Sequence, residues 1–461
     1  MFKESVYINR RNQLRKDVGS GIILLPGNDE SPMNYADNTY HYRQDSTFLY
    51  FFGINRPGLY AILDTEQGID VLYGDDFTVE DFVWMGKQPT IADEASLAGV
   101  KETRNLKGFY QTIEKALNAG RKIHFLPPYR SEITLKLQDI LGIPAKSIPD
   151  SGSIPLIQAV VSQRSIKSDE EISEIEKAVN TSVDMHVAAM KMVRPGMKEL
   201  EVASEMETIA LNGGGFLSFP VIATINGQTL HNHFHGNTTK NGDLFMLDCG
   251  AETAMGYSGD LSSTFPVNSA FTTRQKEVYE IVYNAHTASA KALKPGLRFR
   301  EIHRIACLNI ATGLKDLGLM KGDSEAAVEA GAHALFFPCG TGHMMGLDVH
   351  DMENLGEIYV GYDGKPKSTQ FGLKSLRLGR ELQPGFVLTI EPGIYFIPEL
   401  IDLWKKEGRF NEFLNYEKIE SYKDFGGIRN EEDFLITSAG SKLLGKTKPM
   451  TIAEVENLRK Q

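Results

Sequence analysis

The sequence predicts two domains, an α/β domain over residues 1–165 and an α+β domain with an internal pseudo-two-fold repeat over residues 166–461. Strand-like and helical runs alternate in the first third of the chain, which is typical of an α/β domain. A Ser/Pro/Gly-rich passage, DSGSIP, then precedes a long amphipathic helix, as expected at a domain boundary. The sequence beyond that passage contains a duplicated segment, which indicates two related halves.

The composition is that of a globular protein and excludes several classes of function. The chain has 461 residues, 41% hydrophobic and 24% charged, which suits two domains better than one. Its 49 basic and 60 acidic side chains give a net charge of -11, which argues against nonspecific binding to nucleic acid or to an acidic membrane. No apolar run is long enough to span a membrane, and the three cysteines lack metal-type spacing. These features predict a cytoplasmic protein.

Short apolar runs predict the strands of the first domain. They are Gly21–Leu25, Phe48–Phe52, Tyr60–Leu63, Val71–Tyr73 and Ile123–Phe125. The domain contains no group of residues that indicates catalysis, so we expect its role to be structural.

The second domain opens on a helix with a capping box, since Glu171 follows Ser168 by three residues. Apolar residues recur at helical spacing from Ile172 onward, so this face is predicted to belong to the core. The segment HVAAMKMVRPGMKELEVASEM, from His186, matches HTASAKALKPGLRFREIHRIA, from His286, at an offset of 100 residues. Each half is therefore predicted to form two helices joined at Pro-Gly, followed by strands. A ligand site is expected between the two halves. The alternative is that helix, Pro-Gly and helix recur by chance.

Two aspartates flank a predicted hairpin in the first half. In NGDLFMLDCGAETAMGYSGDLSSTFPV, the buried strand Leu244–Leu247 ends at Asp248, and a Gly-rich connection returns the chain to Asp260. A buried carboxylate requires a cationic partner, so we expect one beside Asp248. The bland alternative is one aspartate that caps a turn and another on the surface.

Three further polar residues stand at similar places in the second half. FFPCGTGHMMGLDVHD holds His343 and His350 among glycines, which allow the backbone to approach a bound centre closely. Glu391 ends the apolar strand of VLTIEPGIY, and Glu431 begins the strand of GGIRNEEDFLIT. Taken alone, each glutamate would be interpreted as a solvated residue at the end of a strand. Taken together, the two glutamates repeat the pattern of Asp248, an acid at the end of an apolar strand.

The combined set is four carboxylates and one imidazole, contributed by Asp248, Asp260, His343, Glu391 and Glu431. Such a set suits a pair of divalent ions, such as manganese, iron, cobalt or zinc, better than a single structural zinc. Two such ions, about 3.5 to 4 Å apart, convert a bridging water into a hydroxide nucleophile near neutral pH.

Four segments resemble, in order, the metal motifs of the pita-bread metallopeptidases, in the branch that contains proline dipeptidase and aminopeptidase P. The segments are LDCGAE to Asp260, GHMMGLDVHD, TIEPGIY and GGIRNEED. In the first domain, YRQDSTFLYFFGINRPG resembles the N-terminal creatinase-type domain of that branch. The resemblance covers nearly the whole chain. It implies a creatinase-like α/β domain followed by an α+β pita-bread catalytic domain.

The resemblance implies a centre of two divalent ions, with manganese as first choice and zinc, cobalt or iron as alternatives. Asp248 would bind one ion, Asp260 and Glu431 would bridge both, and His343 and Glu391 would complete the second. The spacing of the two aspartates is one residue longer than is usual in the family, so a bulge is expected in the connection between them.

Other site residues follow from the same resemblance. Glu391 would also carry protons, His350 would stabilise the charge that develops on the substrate carbonyl, and His231 would contact the substrate. Arg429 would orient the carboxylates. Cys339 stands where the family commonly has a histidine beside the substrate, so its thiol is expected either to line the pocket or to be a small buried apolar group.

The segment HNHFHGN offers an alternative metal site. On a strand, His231, His233 and His235 would share one face and could bind zinc by themselves. The interpretation we favour is one substrate-site histidine, His231, with the other two at the rim or facing solvent.

A bond that precedes proline is a tertiary amide without an N–H, and a metal centre that acts on the carbonyl can hydrolyse it. The family resemblance places Arg377, fourteen residues before Glu391, where an arginine meets the free carboxylate of an Xaa-Pro dipeptide. We therefore expect a dipeptidase for Xaa-Pro. The alternatives are an aminopeptidase for longer Xaa-Pro peptides and an inactive pita-bread protein that serves as a binding or chaperone module. A homodimer is a family expectation.

Overall fold

The computed structural model describes residues 1–461 and divides into two compact units. The first comprises Met1–Arg164 and Met352–Tyr359, and the second comprises Ser165–Asp351 and Val360–Gln461. No helix in the chain combines the length and the apolarity that crossing a membrane requires.

The N-terminal unit is a five-stranded sheet with helices. Its elements are α1 (Glu4–Val18), β1 (Ile22–Pro26), α2 (Ser46–Phe52), β2 (Tyr60–Asp64), β3 (Ile69–Tyr73), α3 (Val79–Met85), α4 (Ile91–Leu97), β4 (Glu102–Arg104), α5 (Leu106–Asn118), β5 (Ile123–His124), α6 (Ser131–Leu141) and α7 (Ile154–Ser165). The strand order is β4-β3-β2-β1-β5, with β3/β4 and β1/β5 parallel and the other pairs antiparallel. The predicted α/β class is confirmed.

One predicted strand, Phe48–Phe52, is wrong, because these residues form part of helix α2. The Asp45 side chain accepts a hydrogen bond from the Phe48 N–H, and Gly53 ends the helix in the left-handed conformation. All seven residues of α2 are buried. A short helix that is buried on every side shows no helical periodicity, so the apolar run alone cannot distinguish it from a strand.

Helices of the remaining chain are α8 (Asp169–Met192), α9 (Glu199–Asn212), α10 (Thr273–Ala292), α11 (Phe299–Asp316), α12 (Ser324–Ala330), α13 (Glu357–Val360), α14 (Pro398–Glu407), α15 (Tyr416–Ile419) and α16 (Ile452–Arg459). Its strands are β6 (Phe216–Leu217), β7 (Ile222–Thr224), β8 (Leu244–Cys249), β9 (Ala251–Glu252), β10 (Leu261–Pro266), β11 (Val387–Ile390), β12 (Gly393–Tyr395), β13 (Gly427–Arg429), β14 (Glu432–Ile436) and β15 (Ser441–Leu443).

The duplicated segments form matching parts of the C-terminal unit. In the first half, the helix pair α8 and α9 precedes a sheet of order β10-β8-β7, and in the second, α10 and α11 precede a sheet of order β11-β14-β15. The predicted capping box at the start of α8 is present between Ser168 and Glu171. One hydrophobic core joins these elements and includes Phe245 of β8, Val282 of α10 and Ile310 of α11. The pseudo-two-fold α+β architecture is thus confirmed.

Candidate metal centre

The hairpin of the first half brings its two aspartates to one place. Strands β8 and β10 pair antiparallel with Asp248 opposite Ser262, and Asp260 immediately precedes β10. Both carboxylates are buried, with 8% of Asp248 and 5% of Asp260 exposed. The bland alternative, with one aspartate on the surface, is therefore wrong.

The second half supplies two glutamates from neighbouring strand ends. Ile390 of β11 pairs with Glu432 of β14, so Glu391 and Glu431 lie beside each other at the same end of this antiparallel strand pair. Ser262 connects this end of the strand pair to the first hairpin. Its carbonyl accepts from the Glu431 N–H at 3.0 Å, and its hydroxyl donates to the Glu431 carboxylate at 2.7 Å.

His343 lies among these carboxylates. Its Nε2 is 3.3 Å from Asp260 Oδ2 and 3.6 Å from Glu391 Oε1. Its Nδ1 is 3.0 Å from the Met344 carbonyl, which assigns the proton to Nδ1 and leaves the Nε2 lone pair facing the acids. Potential donor atoms of Asp260, His343 and Glu431 all lie within 4.8 Å of one another.

Asp248 has the cationic partner that its burial requires. The guanidinium of Arg429 contacts the Asp248 carboxylate through Nη2, donates from Nε to Ser262 Oγ at 2.8 Å and from Nη1 to the Tyr395 hydroxyl at 3.0 Å. Arg429 is itself buried, with 4% exposed. Three side chains thus fix the guanidinium of Arg429, and Arg429 in turn holds Asp248 in place.

The other three acids lack such a partner. Burial, reinforced by the charge of Asp248, raises the pKa of Asp260 to about 7. Burial likewise raises the pKa of Glu391 to about 7, and that of Glu431 well above its usual range. Divalent ions would remove this excess of buried negative charge. The oxygen-rich donors with one imidazole therefore fit a divalent metal centre.

A cavity of about 500 Å³ opens onto these groups. The structure brings together here all of the residues that the sequence predicts for the site, namely Asp248, Asp260, His343, Glu391, Glu431, His350, His231, Arg377, Cys339 and Arg429. The ring of His350 lies 4.4 Å from that of His343, centroid to centroid. This volume is in the range of small-molecule sites.

Two residues that line the cavity have shifted pKa values. Burial raises the pKa of the Cys339 thiol to about 12, and its sulfur lies 3.9 Å from the Tyr395 hydroxyl. The thiol therefore stays protonated and is a poor nucleophile. His231 is at the rim, where partial burial and the charge of Arg429 lower its pKa.

The sequence was compared with known protein families, and two of them match. The family described as Metallopeptidase family M24 matches residues 173–438, more than half of the chain. The chain belongs to metallopeptidase family M24. It is therefore a hydrolase, and membership implies divalent metal ions. Residues 7–124 match the family described as Aminopeptidase P, N-terminal domain, which agrees with the predicted two-domain, pita-bread architecture.

Relatives of this M24 metallopeptidase carry two different names. The chain is 32% identical to a human Xaa-Pro dipeptidase, over 96% of this chain and 90% of that protein. It is 30% identical to an Xaa-Pro aminopeptidase of Escherichia coli, over 97% and 96%. Among solved structures, an aminopeptidase of Pseudomonas aeruginosa has a TM-score of 0.82 at 26% identity, covering 100% of this chain and 98% of that one. Zinc-substituted Escherichia coli aminopeptidase P in complex with product has a TM-score of 0.82 at 27% identity, with the same coverage.

The alternative zinc site of the HNHFHGN segment does not form. His231 lies in a turn and the residues after it are not in a strand, so the three imidazoles do not share a strand face. His235 Nε2 instead lies 3.0 Å from the Val221 carbonyl. His233 is exposed, and only it and His231 line the cavity.

Sequence reasoning missed the polar residues that support the acids. Ser262, Asp433 and Tyr395 each hydrogen-bond to a predicted site residue, and Asp433 accepts from the Asp260 N–H at 3.1 Å. Ser262 and Asp433 each follow a predicted acid by two residues, so strand alternation could have found them. No local signal marks Phe219, Leu230 or Val349, the apolar part of the cavity wall.

Proposed function

We propose that this M24 enzyme is an Xaa-Pro dipeptidase, which hydrolyses the bond before proline in dipeptides. The observation that carries the proposal is the position of Arg377, which lines the same cavity as the acids around His343. A guanidinium presents a bidentate fork to a carboxylate. A dipeptide has a free carboxylate directly after the proline, and a longer peptide has an amide there.

We further infer that Asp248, Asp260, His343, Glu391 and Glu431 hold two divalent ions, with Mn²⁺ as first choice and Zn²⁺, Co²⁺ or Fe²⁺ as alternatives. Such ions, when bound, supply Lewis acidity and a water that ionises near neutral pH. Arg429, through its contact with Asp248, orients one of the acids.

The chain's own side chains perform the remaining tasks. The carboxylate of Glu391 takes a proton from the attacking water and returns it to the proline nitrogen as the C–N bond breaks. A ring N–H of His350 donates to the substrate carbonyl oxygen as negative charge develops there. His231, at the rim, contacts the substrate, and the protonated Cys339 thiol forms part of the pocket wall.

The second candidate function is an Xaa-Pro aminopeptidase, and the similarity to the Escherichia coli enzyme of that name supports it. Rates for Gly-Pro and Gly-Pro-Gly, measured side by side with the same Mn²⁺-loaded protein, distinguish the two. A dipeptidase hydrolyses Gly-Pro with the higher kcat/KM. A higher kcat/KM for the tripeptide would replace the dipeptidase proposal with the aminopeptidase.

We also propose residues 1–165 and 166–461 as the two domains, a homodimer as the assembled form, and the cytoplasm as its location. The three cysteines are all free, which is usual in a reducing compartment. Light scattering on the purified protein tests the homodimer, and a mass of one chain would exclude it.

A further inference from the structure

A second group of potential metal ligands lies in the core of the C-terminal unit. His303 and Cys307 are one helical turn apart on α11, and His333 belongs to a 3₁₀ turn at Ala332–Leu335. One donor atom from each lies within 4.8 Å of the other two. No more than 2% of any of the three residues is exposed. None of them lines the cavity of the carboxylate centre.

The hydrogen bonds of His303 direct its Nε2 into the group. Its Nδ1 lies 2.8 Å from Thr341 Oγ1, and its Nε2 lies 3.3 Å from Cys307 Sγ. The arrangement assigns the ring proton to Nδ1, which donates to Thr341, and leaves Nε2 to accept from the thiol. An imidazole that ligates a metal through one nitrogen usually donates its other N–H in this way.

The ring nitrogens of His333, unlike those of His303, make no hydrogen bonds. Neither Nδ1 nor Nε2 has a hydrogen-bond partner within the chain, although the residue is 98% buried, with 2% exposed. A buried polar group without a hydrogen-bond partner destabilises the fold. One ring nitrogen of His333 therefore lies within 4.8 Å of ligand atoms of His303 and Cys307 but has no hydrogen-bond partner. A metal ion bound between the three residues would supply that partner.

We propose that His303, Cys307 and His333 form a second metal site, for a borderline-soft dication of the Zn²⁺ type. One thiolate and two neutral imidazoles are ligands that Zn²⁺ takes, and they contrast with the oxygen-rich set around His343. Burial lowers the pKa of His303 to about 3 and that of His333 to about 4, so both rings are neutral at pH 7. Burial keeps the Cys307 thiol protonated by raising its pKa, so binding releases its proton to solvent.

The proposed site is connected to the segment that leads to Glu391. Thr341 accepts from His303 through its hydroxyl, and its backbone carbonyl accepts from the Glu391 N–H at 2.8 Å. An ion on His303 would therefore restrain Thr341 and, through it, the backbone of Glu391. The site itself does not depend on the proposed dipeptidase activity.

The test uses Cd²⁺, which produces ultraviolet thiolate-to-metal absorption when a cysteine ligates it. The full chain is first saturated with Mn²⁺, a hard ion that occupies oxygen donors, and is then titrated with Cd²⁺. We expect one Cd²⁺ per chain with this absorption. Cys307→Ser should abolish the absorption, whereas Cys339→Ser, which changes a cysteine outside the group, should keep it.

His333→Leu provides a second variant that is expected to fold, because it removes two unpartnered polar atoms from the core. Its Cd²⁺ affinity should be at least about 100-fold weaker, since even the outer partners of a metal ligand contribute 10- to 100-fold. Its metal-free melting temperature should equal or exceed that of the wild type.

Because the group is deeply buried, an ion enters the folded chain slowly, so the Cd²⁺ titration is followed until the absorption is constant, and the zinc content of protein purified without chelators is measured as well. The wild type should retain one more equivalent of zinc than Cys307→Ser. The proposal is overturned if the wild type neither retains this equivalent nor binds Cd²⁺ through a thiolate, or if Cys307→Ser behaves like the wild type. Either result would mean that the three residues are only packed together.

Discussion

Two sites with buried charge, one in each unit of the chain, differ in whether the chain itself balances that charge. In the N-terminal unit, the side chain of Arg11 is completely buried, and burial lowers its pKa to about 10. Its Nε donates to Asp70 at 2.8 Å, and its other nitrogens donate to the carbonyls of Phe51 and Ala98 at 2.8 and 2.9 Å. The chain itself therefore satisfies this charge, and the result is a rigid structural contact.

In the C-terminal unit, the buried acids outnumber the cations that face them. Arg429 contacts Asp248, but Asp260, Glu391 and Glu431 remain close to one another, with raised pKa values. A fold does not keep several like charges in its interior without compensation. A buried charge that the chain balances is therefore a structural contact, whereas an excess of buried charge of one sign indicates a binding site for an external ion.

Removing one of the excess acids should have the largest effect on activity. If Asp260 and Glu431 each bind both ions, Asp260→Asn or Glu431→Gln should lose most of the bound metal and reduce kcat by a factor on the order of 10³ or more. Elemental analysis and hydrolysis of Gly-Pro measure the two quantities.

Asp70→Asn, in the balanced pair of the N-terminal unit, is the matched control. It should lower the free energy of unfolding by about 2 kcal/mol, because Arg11 loses a charged partner, and leave metal content and kcat unchanged. Equal loss of metal in Asp70→Asn and Asp260→Asn would remove the distinction between the two regions.

His350 should affect catalysis without affecting metal content. His350→Ala removes the proposed donor to the substrate carbonyl, so kcat should fall by roughly 10² to 10³. The bound metal should stay at the wild-type level, because His350 is not among the proposed ligands. Steady-state kinetics with metal analysis on the same sample checks both, and loss of metal would show that His350 belongs to the centre.

Arg377 should set the preference for peptide length. Arg377→Ala leaves the dipeptide carboxylate unpaired and should cost about 2 to 4 kcal/mol in kcat/KM for Gly-Pro. Hydrolysis of Gly-Pro-Gly should change little or improve, because an amide does not match a cationic fork. Arg377→Lys should recover only part of the loss. Equal losses on both peptides would make Arg377 a structural residue.

The smallest expected effect is on the way in which the free energy of unfolding depends on pH. In the metal-free protein, burial raises the pKa of Asp260 and Glu391 to about 7, whereas both ionise near pH 4 in the unfolded chain. Between about pH 4 and 7 the folded protein therefore binds more protons, and its free energy of unfolding should fall as the pH rises. Urea denaturation across this range should show a steeper fall for the wild type than for Asp260→Asn, and excess Mn²⁺ should remove the difference.

Local patterns predicted much of the fold. The capping box of Ser168, the hairpin from Asp248 to Asp260 and the two related halves are each encoded in neighbouring residues, and each is present. Phe48–Phe52 was predicted wrongly because a completely buried short helix and a buried strand have the same apolar sequence.

The site was predictable only in part, because its support comes from distant residues. Each acid follows or precedes an apolar strand, which the sequence displays. The contact of Asp248 with Arg429 spans 181 positions, and the bond from Arg429 to Tyr395 joins two further segments. No periodicity in a single sequence connects such positions, and family resemblance alone suggested Arg429.

If the excess acids around His343 hold two divalent ions, hydrolysis should require both of them. Equilibrium dialysis of the metal-free full chain against Mn²⁺, with Gly-Pro hydrolysis measured at each concentration, measures both quantities. We expect two Mn²⁺ per chain in the wild type, activity that rises with occupancy, and the loss of both in Asp260→Asn. Full hydrolysis by the metal-free chain, or activity independent of bound Mn²⁺, would contradict it.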